Sequence, residues 1–245
     1  AQGVPRDVAQ RAFAQLDSKG LTFEGRADLD DDKREFALAP DVLRAHGFPP
    51  ADRHDLLSVV RHVKPTVLIG TSATPGAFTE PALREMARHV ERPVVLPLSN
   101  PTSKCEAAPA DVLRWTAGRA LVATGSPFDP VELDGRRHVF GQANNAFIFP
   151  GVGLGAIVAE AREITDGMFL AAARTAAGRV SPERLQEGAL YPTPSELRAV
   201  SRDIAVAVVR EARDRGFGRG LRDERIEAEV DAAMWFPDYV PYVPA

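Results

Sequence analysis

Thr66-Val67-Leu68-Ile69-Gly70-Thr71, followed by Ser72-Ala73-Thr74-Pro75-Gly76-Ala77-Phe78, is the stretch that decides the fold class. The first six residues are β-branched and apolar, too short a run for a helix, and predict a buried strand. The next seven cannot be helical, because proline and glycine stand side by side. Thr79 then predicts a helix N-cap, with Glu80 and Pro81 in the first turn. Leu83, Met86, Ala87 and Val90 recur at helical spacing and give that helix one apolar face.

The same strand, loop and helix rhythm extends in both directions. Residues 93–99 predict a second strand ending in the turn Asn100-Pro101-Thr102, and residues 120–124 a third ending in Gly125-Ser126-Pro127. A helix over 110–116, stopped by Gly118, lies between them, and another over 55–63 precedes the first strand. Residues 12–16, ahead of Asp17-Ser18-Lys19-Gly20, read as a further strand edge. Strands alternating with helices predict a parallel sheet covered on both faces. After Pro150 the rhythm turns helical, with Ala-rich stretches over 152–163, 166–177 and 195–213 and a polar linker over 179–194. The expected division is residues 1–150 and residues 151–245. The tail from Trp235 to Tyr242 carries aromatics on a proline-extended segment, which predicts that they pack against this domain, another domain or another subunit.

Bulk properties narrow the function classes. The 245 residues are 44% hydrophobic and 26% charged, with a formal net charge of -4. Such a balance gives no electrostatic reason to expect nucleic acid or an anionic membrane as partner. Cys105 is the only cysteine, so neither an internal disulfide nor a Cys-rich zinc site can form. No apolar stretch approaches the roughly 20 residues that span a bilayer, and nothing resembles a signal peptide. A cytoplasmic protein is the expectation. The opening Ala1-Gln2-Gly3 lacks an initiator Met and reads as processing or a fragment.

In open α/β sheets ligands bind at the carboxyl ends of strands. Three loops fall there, over 70–78, 99–102 and 125–130, and each is rich in small or amide residues that let backbone approach a flat ligand. The same residues also make ordinary turns, but three such loops at successive strand ends point to a crevice. Asp17 could accept the hydroxyls of an adenosine ribose, or could close an Asx-turn before Gly20. Ser18, Lys19 and Lys33 lie where a 2′-phosphate would need donors and positive charge. Asn144 and Asn145 precede an apolar run that enters a helix at Pro150-Gly151. Neutral amides suit a carboxamide or carboxylate ligand, although an Asn there could equally cap the helix. The five histidines stand at no trusted metal-ligand spacing, and Ser126 lacks a nucleophile-elbow context. No G-x-G-x-x-G motif occurs at a strand-to-helix turn; Gly151-Val152-Gly153-Leu154-Gly155 comes nearest and misses the spacing.

These segments together resemble the malic enzyme family. Leu98-Ser99-Asn100-Pro101-Thr102, Ala123-Thr124-Gly125-Ser126-Pro127-Phe128 and Gly141-Gln142-Ala143-Asn144-Asn145 with Ile148-Phe149-Pro150-Gly151 carry the likeness. It continues through Ile164-Thr165-Asp166, Leu190-Tyr191-Pro192, Ile204-Ala205 and Met234-Trp235. The resemblance implies a Rossmann-like, mostly parallel sheet with helices on both faces, incomplete at its N-terminal βα unit and followed by a helical C-terminal extension. It implies oxidation of L-malate by NAD or NADP, with decarboxylation to pyruvate and Mg²⁺ or Mn²⁺ as Lewis acid. Asn100, Asn144 and Asn145 would reach substrate and nicotinamide, Gly70, Thr71 and Ser72 would lie along the cofactor, and Asp17 would bind the ribose. Ser18 and Lys33 fall where NADP-preferring members have Ser and Lys, a lean towards NADP. Ala143 departs from the family's glycine, and its methyl group could stiffen or crowd that turn.

The family's catalytic Tyr and Lys, its metal carboxylates and its phosphate loop all lie upstream of the matched region. The chain is therefore expected to hold no catalytic residue or metal ligand and to be inactive alone. A homo-oligomer, or association with the remaining N-terminal part, is expected. Two other readings stand beside this one: a non-catalytic nucleotide-binding or scaffold module, and part of a malolactic-type relative that releases lactate.

Overall fold

The computed structural model describes residues 3–51 and 53–237. The chain divides into two compact units, residues 1–143 with 182–191, and residues 144–181 with 192–245.

The first unit begins with α1 (Arg6–Arg11) and a short antiparallel hairpin of β1 (Leu16–Asp17) and β2 (Gly20–Leu21). Residues 12–15 are not extended into a strand; the strand is confined to Leu16 and Asp17, paired with Leu21 and Gly20. Three short helices follow: α2 (Asp31–Glu35), α3 (Pro40–Ala45) and α4 (Leu56–Val63). Asp55 caps α4, its Oδ1 accepting from Ser58 N at 2.8 Å. Leu21, Leu38, Val42, Phe48 and Val59 form the core of this section. Buried His54 lies against the Phe48 ring at 4.8 Å between centroids, and burial pushes its pKa down.

The main sheet is built from β3 (Val67–Gly70), β4 (Val94–Pro97), β5 (Leu121–Thr124) and β8 (Gly141–Gln142), in that spatial order and all parallel. Between them run α5 (Glu80–His89), α6 (Pro109–Trp115) and the antiparallel hairpin β6 (Val131–Leu133) and β7 (Arg136–His138). The three strands expected from apolar runs are present, and so are the helices between them. Thr79 stands at the N-cap of α5, though its side chain makes no capping hydrogen bond.

Inward residues Leu68, Val95 and Val122 pack on Leu83, Met86, Val112 and Leu113 of α5 and α6. The opposite residues of β3, Val67 and Ile69, remain 45% and 57% exposed. That strand is therefore buried on one face only, and it is also an edge of the sheet. A further short helix, α9 (Pro182–Gln186), returns to this unit within the stretch expected to be a linker.

The second unit is helical: α7 (Phe149–Val158), α8 (Asp166–Gly178), α10 (Leu197–Asp214) and α11 (Asp223–Ala233). The expected helices appear with shifted ends, α7 beginning three residues earlier than its apolar pattern suggested because Pro150 sits comfortably in a first helical turn. Gly151 and Gly155 of α7 face Ile204 and Val208 of α10; a Cβ on either would come within 2.6–2.7 Å of them. Glycine is what allows so close a helix approach. Arg198 stacks over the Phe236 ring at 4.2 Å and donates to the Trp235 carbonyl, so the start of the tail lies on α10. The remainder of the aromatic tail, from Asp238, lies outside the described residues. Among the described residues no helix is long and apolar enough to cross a membrane.

Candidate functional site

The carboxyl ends of β3, β4 and β5 carry the loops that sequence singled out, and side chains tie these loops together. Gly70 ends β3, and Thr71 and Ser72 follow it into solvent. The buried carboxylate of Glu106 lies beneath them. Its Oε1 accepts from Ser72 N at 2.8 Å, Ser72 Oγ at 2.9 Å and Ser99 Oγ at 2.5 Å, while Oε2 accepts from Ser99 N at 3.3 Å. Burial pushes this carboxyl pKa up, but the Ser99 and Ser72 donors outweigh burial and hold it below the ordinary glutamate value. Ser99 Oγ also accepts from Ala73 N at 2.9 Å. Ala73 sits in the left-handed region at φ 52°, which a β-carbon disfavours unless the surroundings hold it.

The ends of β4 and β5 are joined in the same way. Ser126 Oγ donates to Asn100 Oδ1 at 2.5 Å, and Thr124 Oγ1 donates to the Ser126 carbonyl at 2.8 Å. The Asn100–Pro101 peptide is cis. Asn100 is exposed, and its Nδ2 has no partner among the described residues, so it is free to donate to a ligand. A Cβ on Gly125 would strike the Leu98 carbonyl, which fixes glycine at this crossing. Gln142 Nε2 donates to the Gly125 carbonyl at 3.2 Å, and Ala143 N donates to Thr124 O at 2.8 Å. Ala143 therefore stays hydrogen-bonded to the end of β5.

Asp17 is heavily engaged. Arg26 grips both carboxylate oxygens, Nη1 to Oδ1 at 3.1 Å and Nη2 to Oδ2 at 2.7 Å. Lys19 N donates to Oδ1 at 2.9 Å, the Asx-turn that sequence left open, and Lys33 Nζ lies 3.3 Å from Oδ2. The Arg26 hydrogen bonds, with smaller help from Lys19 and Lys33, lower the Asp17 pKa to about 2. Lys33 also pairs with Asp30 at 3.3 Å, so its charge is shared between two carboxylates. Ser18 is exposed beside this network.

Asn144 and Asn145 belong to the second unit. Asn144 Oδ1 accepts from Ala146 N at 2.9 Å and caps the 3-10 turn Asn145–Phe147 that leads into α7. Both side chains are exposed. The first unit thus brings Gly70, Thr71, Ser72 and Asn100 to one end of its sheet, with Asp17, Ser18 and Lys33 on its hairpin section.

Glu106 and the roles of Ser99 and Ser126 were not legible from local sequence. A cleft of about 770 Å³ lies at the opposite, amino-terminal ends of β4 and β5, lined by Arg92, Arg119, Arg136, His138 and Leu185 among others. It shares no residue with the strand-end loops. The histidines are structural or superficial: His62 Nδ1 meets the His46 carbonyl at 3.1 Å and His89 Nε2 meets Glu85 at 3.1 Å. Among the described residues no group of three or more His, Cys, Asp or Glu side chains is placed to hold a metal ion.

Comparison with known proteins agrees with this architecture. The family described as malic enzyme, NAD binding domain, matches residues 1–213. The chain is 44% identical over 241 residues to NAD-dependent malic enzyme 3 of Bacillus subtilis, covering 98% of this chain and 42% of that protein. It is 42% identical over 241 residues to an NAD-dependent malic enzyme of Pseudomonas aeruginosa, covering 98% and 43%. The chain thus spans less than half the length of these relatives. The crystal structure of Entamoeba histolytica malic enzyme superposes with a TM-score of 0.67 at 24% identity, covering 90% of this chain and 42% of that one, a likeness of fold. Malic enzyme from Pyrococcus horikoshii gives 0.54 at 27% identity, covering 73% and 36%. On the match to most of its length, this chain belongs to the malic enzyme family through the family's NAD-binding domain.

Proposed function

We propose that this chain forms the dinucleotide-binding part of a malic enzyme that converts L-malate to pyruvate and CO₂ while reducing NAD. The observation that carries the reading is the free carboxamide donor of Asn100, held by Ser126 at a strand end beside the small-residue loop after β3. Exposed Thr71 and Ser72 leave space for a ligand backbone, and an amide is the right partner for a carboxamide or carboxylate because it carries no charge to neutralise. On the family resemblance, Asn144 and Asn145 are further candidate ligand amides, carried by the second unit. When bound, the nicotinamide accepts the hydride from malate C2. Asp17 meets the adenosine ribose, and to do so it exchanges part of its bonding to Arg26 and Lys33 for the ribose hydroxyls.

NAD is the proposed cofactor, on the names of the relatives and on the pairing of Lys33 with Asp17 and Asp30. NADP, towards which Ser18 and Lys33 lean, is the alternative that binding must separate. General base, general acid and metal ligands are assigned to the rest of a longer polypeptide, and this chain alone is inactive. The working protein is a cytoplasmic oligomer or an assembly with that remaining part.

Titration calorimetry of the chain with NAD and NADP tests the reading. Saturable NAD binding at least tenfold tighter than NADP, without malate-dependent reduction in the presence of Mn²⁺, is expected. Tighter binding of NADP overturns the cofactor assignment, turnover by the chain overturns the claim of inactivity, and absence of nucleotide binding overturns the site.

A further inference from the structure

Glu106 has no part in the reading above, yet it is wholly buried and ionised beneath the proposed crevice. We propose that Glu106 is a positioning residue for the dinucleotide: through Ser72 and Ser99 it fixes the loops after β3 and β4 relative to each other, and so sets the affinity of a ligand it does not touch. The proposal rests on the strand ends being the nucleotide site.

The arrangement of donors is the first argument. Four of them reach the Glu106 carboxylate, and all come from Ser72 and Ser99, at the ends of two different strands. The β3–β4 ladder already pairs Val67 with Val94 through Gly70 with Pro97, so the strands need no buried charge to stay together. A buried carboxylate is costly unless its lone pairs are filled, and an apolar side chain of similar size would hold a merely structural position as well or better. What the charge adds is direction. Each serine hydroxyl donates its single proton to Glu106 and accepts from the loop after β3, Ser72 Oγ from Thr74 N at 3.2 Å and Ser99 Oγ from Ala73 N at 2.9 Å. The main chain completes the grip, because Phe78 N donates to the Glu106 carbonyl at 3.1 Å. Residues 72–78 are thus held at both ends by one residue, and Ala73 is kept in its unfavourable left-handed conformation between them.

Glutamine cannot replace this group. It offers one acceptor oxygen, and whichever way the amide turns, its NH₂ would face a backbone N–H, that of Ser72 or that of Ser99, which cannot accept. Glu106→Gln therefore loosens both loops while keeping the volume of the side chain.

The test uses the full chain, with Ser99→Ala as a second variant that keeps the charge and removes one hydroxyl. Val209→Ala, in the buried face of α10, serves as a control that lowers thermal stability elsewhere. NAD affinity is measured by calorimetry at a temperature where every variant is folded, and the Ser72 and Ser99 amide resonances are followed against pH. In the wild type the two amides should titrate together with one midpoint below the ordinary glutamate range, and Glu106→Gln should abolish both titrations. Glu106→Gln should weaken NAD binding by about tenfold or more and Ser99→Ala by a smaller factor, while Val209→Ala leaves affinity unchanged. Should Glu106→Gln not fold, the Ser99→Ala affinity and the wild-type titrations decide. Unchanged affinity in the variants, or equal weakening in the control, overturns the positioning role. Separate midpoints for the two amides overturn the coupling of the loops. Failure of the wild type to bind NAD while its amides titrate together overturns the nucleotide reading and the ligand half of the proposal, leaving the loop clamp alone.

Discussion

A Cβ built on Gly70 would lie 2.6 Å from Glu106 Cδ and 2.7 Å from the tip of the Phe78 ring. Both neighbours are buried, and the carboxylate is fixed by its serine donors, so neither can retreat freely. Gly70→Ala should therefore destabilise the first unit by about 1–3 kcal/mol, the usual cost of overpacking. Thermal unfolding checks this, and a melting temperature within a degree of the wild type would show that the loop yields easily.

Ser126→Ala removes the hydroxyl that orients the Asn100 amide. NAD binding should weaken by about three- to tenfold, on the order of 1 kcal/mol for one lost hydrogen bond. ADP-ribose, which lacks the nicotinamide, should bind the variant and the wild type alike. Equal loss for both ligands would place Ser126 away from the nicotinamide.

The Asp17–Arg26 pair makes stability depend on acid. Arg26 lowers the Asp17 pKa from 3.8 to about 2, so the folded state favours the carboxylate. For a depressed pKa the stabilisation is fully present above the unfolded value and is lost as pH falls through the folded one. Urea unfolding between pH 4 and pH 2 should show this loss, worth about 1–2 kcal/mol. Arg26→Ala should lower stability at pH 7 and flatten the acid limb over the same window; an unchanged limb would mean that other carboxylates govern it.

One-sided burial of β3 gives contrasting core and surface substitutions. Met86 is fully buried under the sheet, and Met86→Ala should cost about 2–5 kcal/mol through the cavity it leaves. Ile69 is 57% exposed, and Ile69→Thr should stay within about 0.5 kcal/mol of the wild type. Denaturant midpoints compare the two directly; a large loss at Ile69 would mean that its face is covered in solution.

How much of this was legible in sequence depended on whether the signal was local. β3, β4 and β5 announce themselves because their apolar runs end in glycine, proline or serine turns. β8 does not, since Gly141 and Gln142 carry no apolar period and become a strand only by pairing with Ala123 and Thr124. The β6–β7 hairpin did leave a local mark: Asp134 and Gly135, at φ 51° and 72°, are the residue pair that a tight hairpin turn prefers. Asn100 and the small residues after β3 were found because amides and glycines at strand ends are unusual in themselves. Glu106 was not, because its partners are 7 and 34 residues away and nothing in Cys105-Glu106-Ala107 marks it. For Asp17 the sequence left a ribose contact and a self-closed turn open, and Arg26, nine residues on, was the missing party.

The bare faces of Gly151 and Gly155 act as a spacer of zero thickness between α7 and α10. The turn bearing Asn144 and Asn145 leads straight into the first residue of α7. Any methyl group grown at either glycine must push α7 outward, and the paired amides would travel with the helix end. Their placement is thus governed by how thin a helix contact is six and ten residues downstream of Asn145, and it can be ruined from there without altering either asparagine.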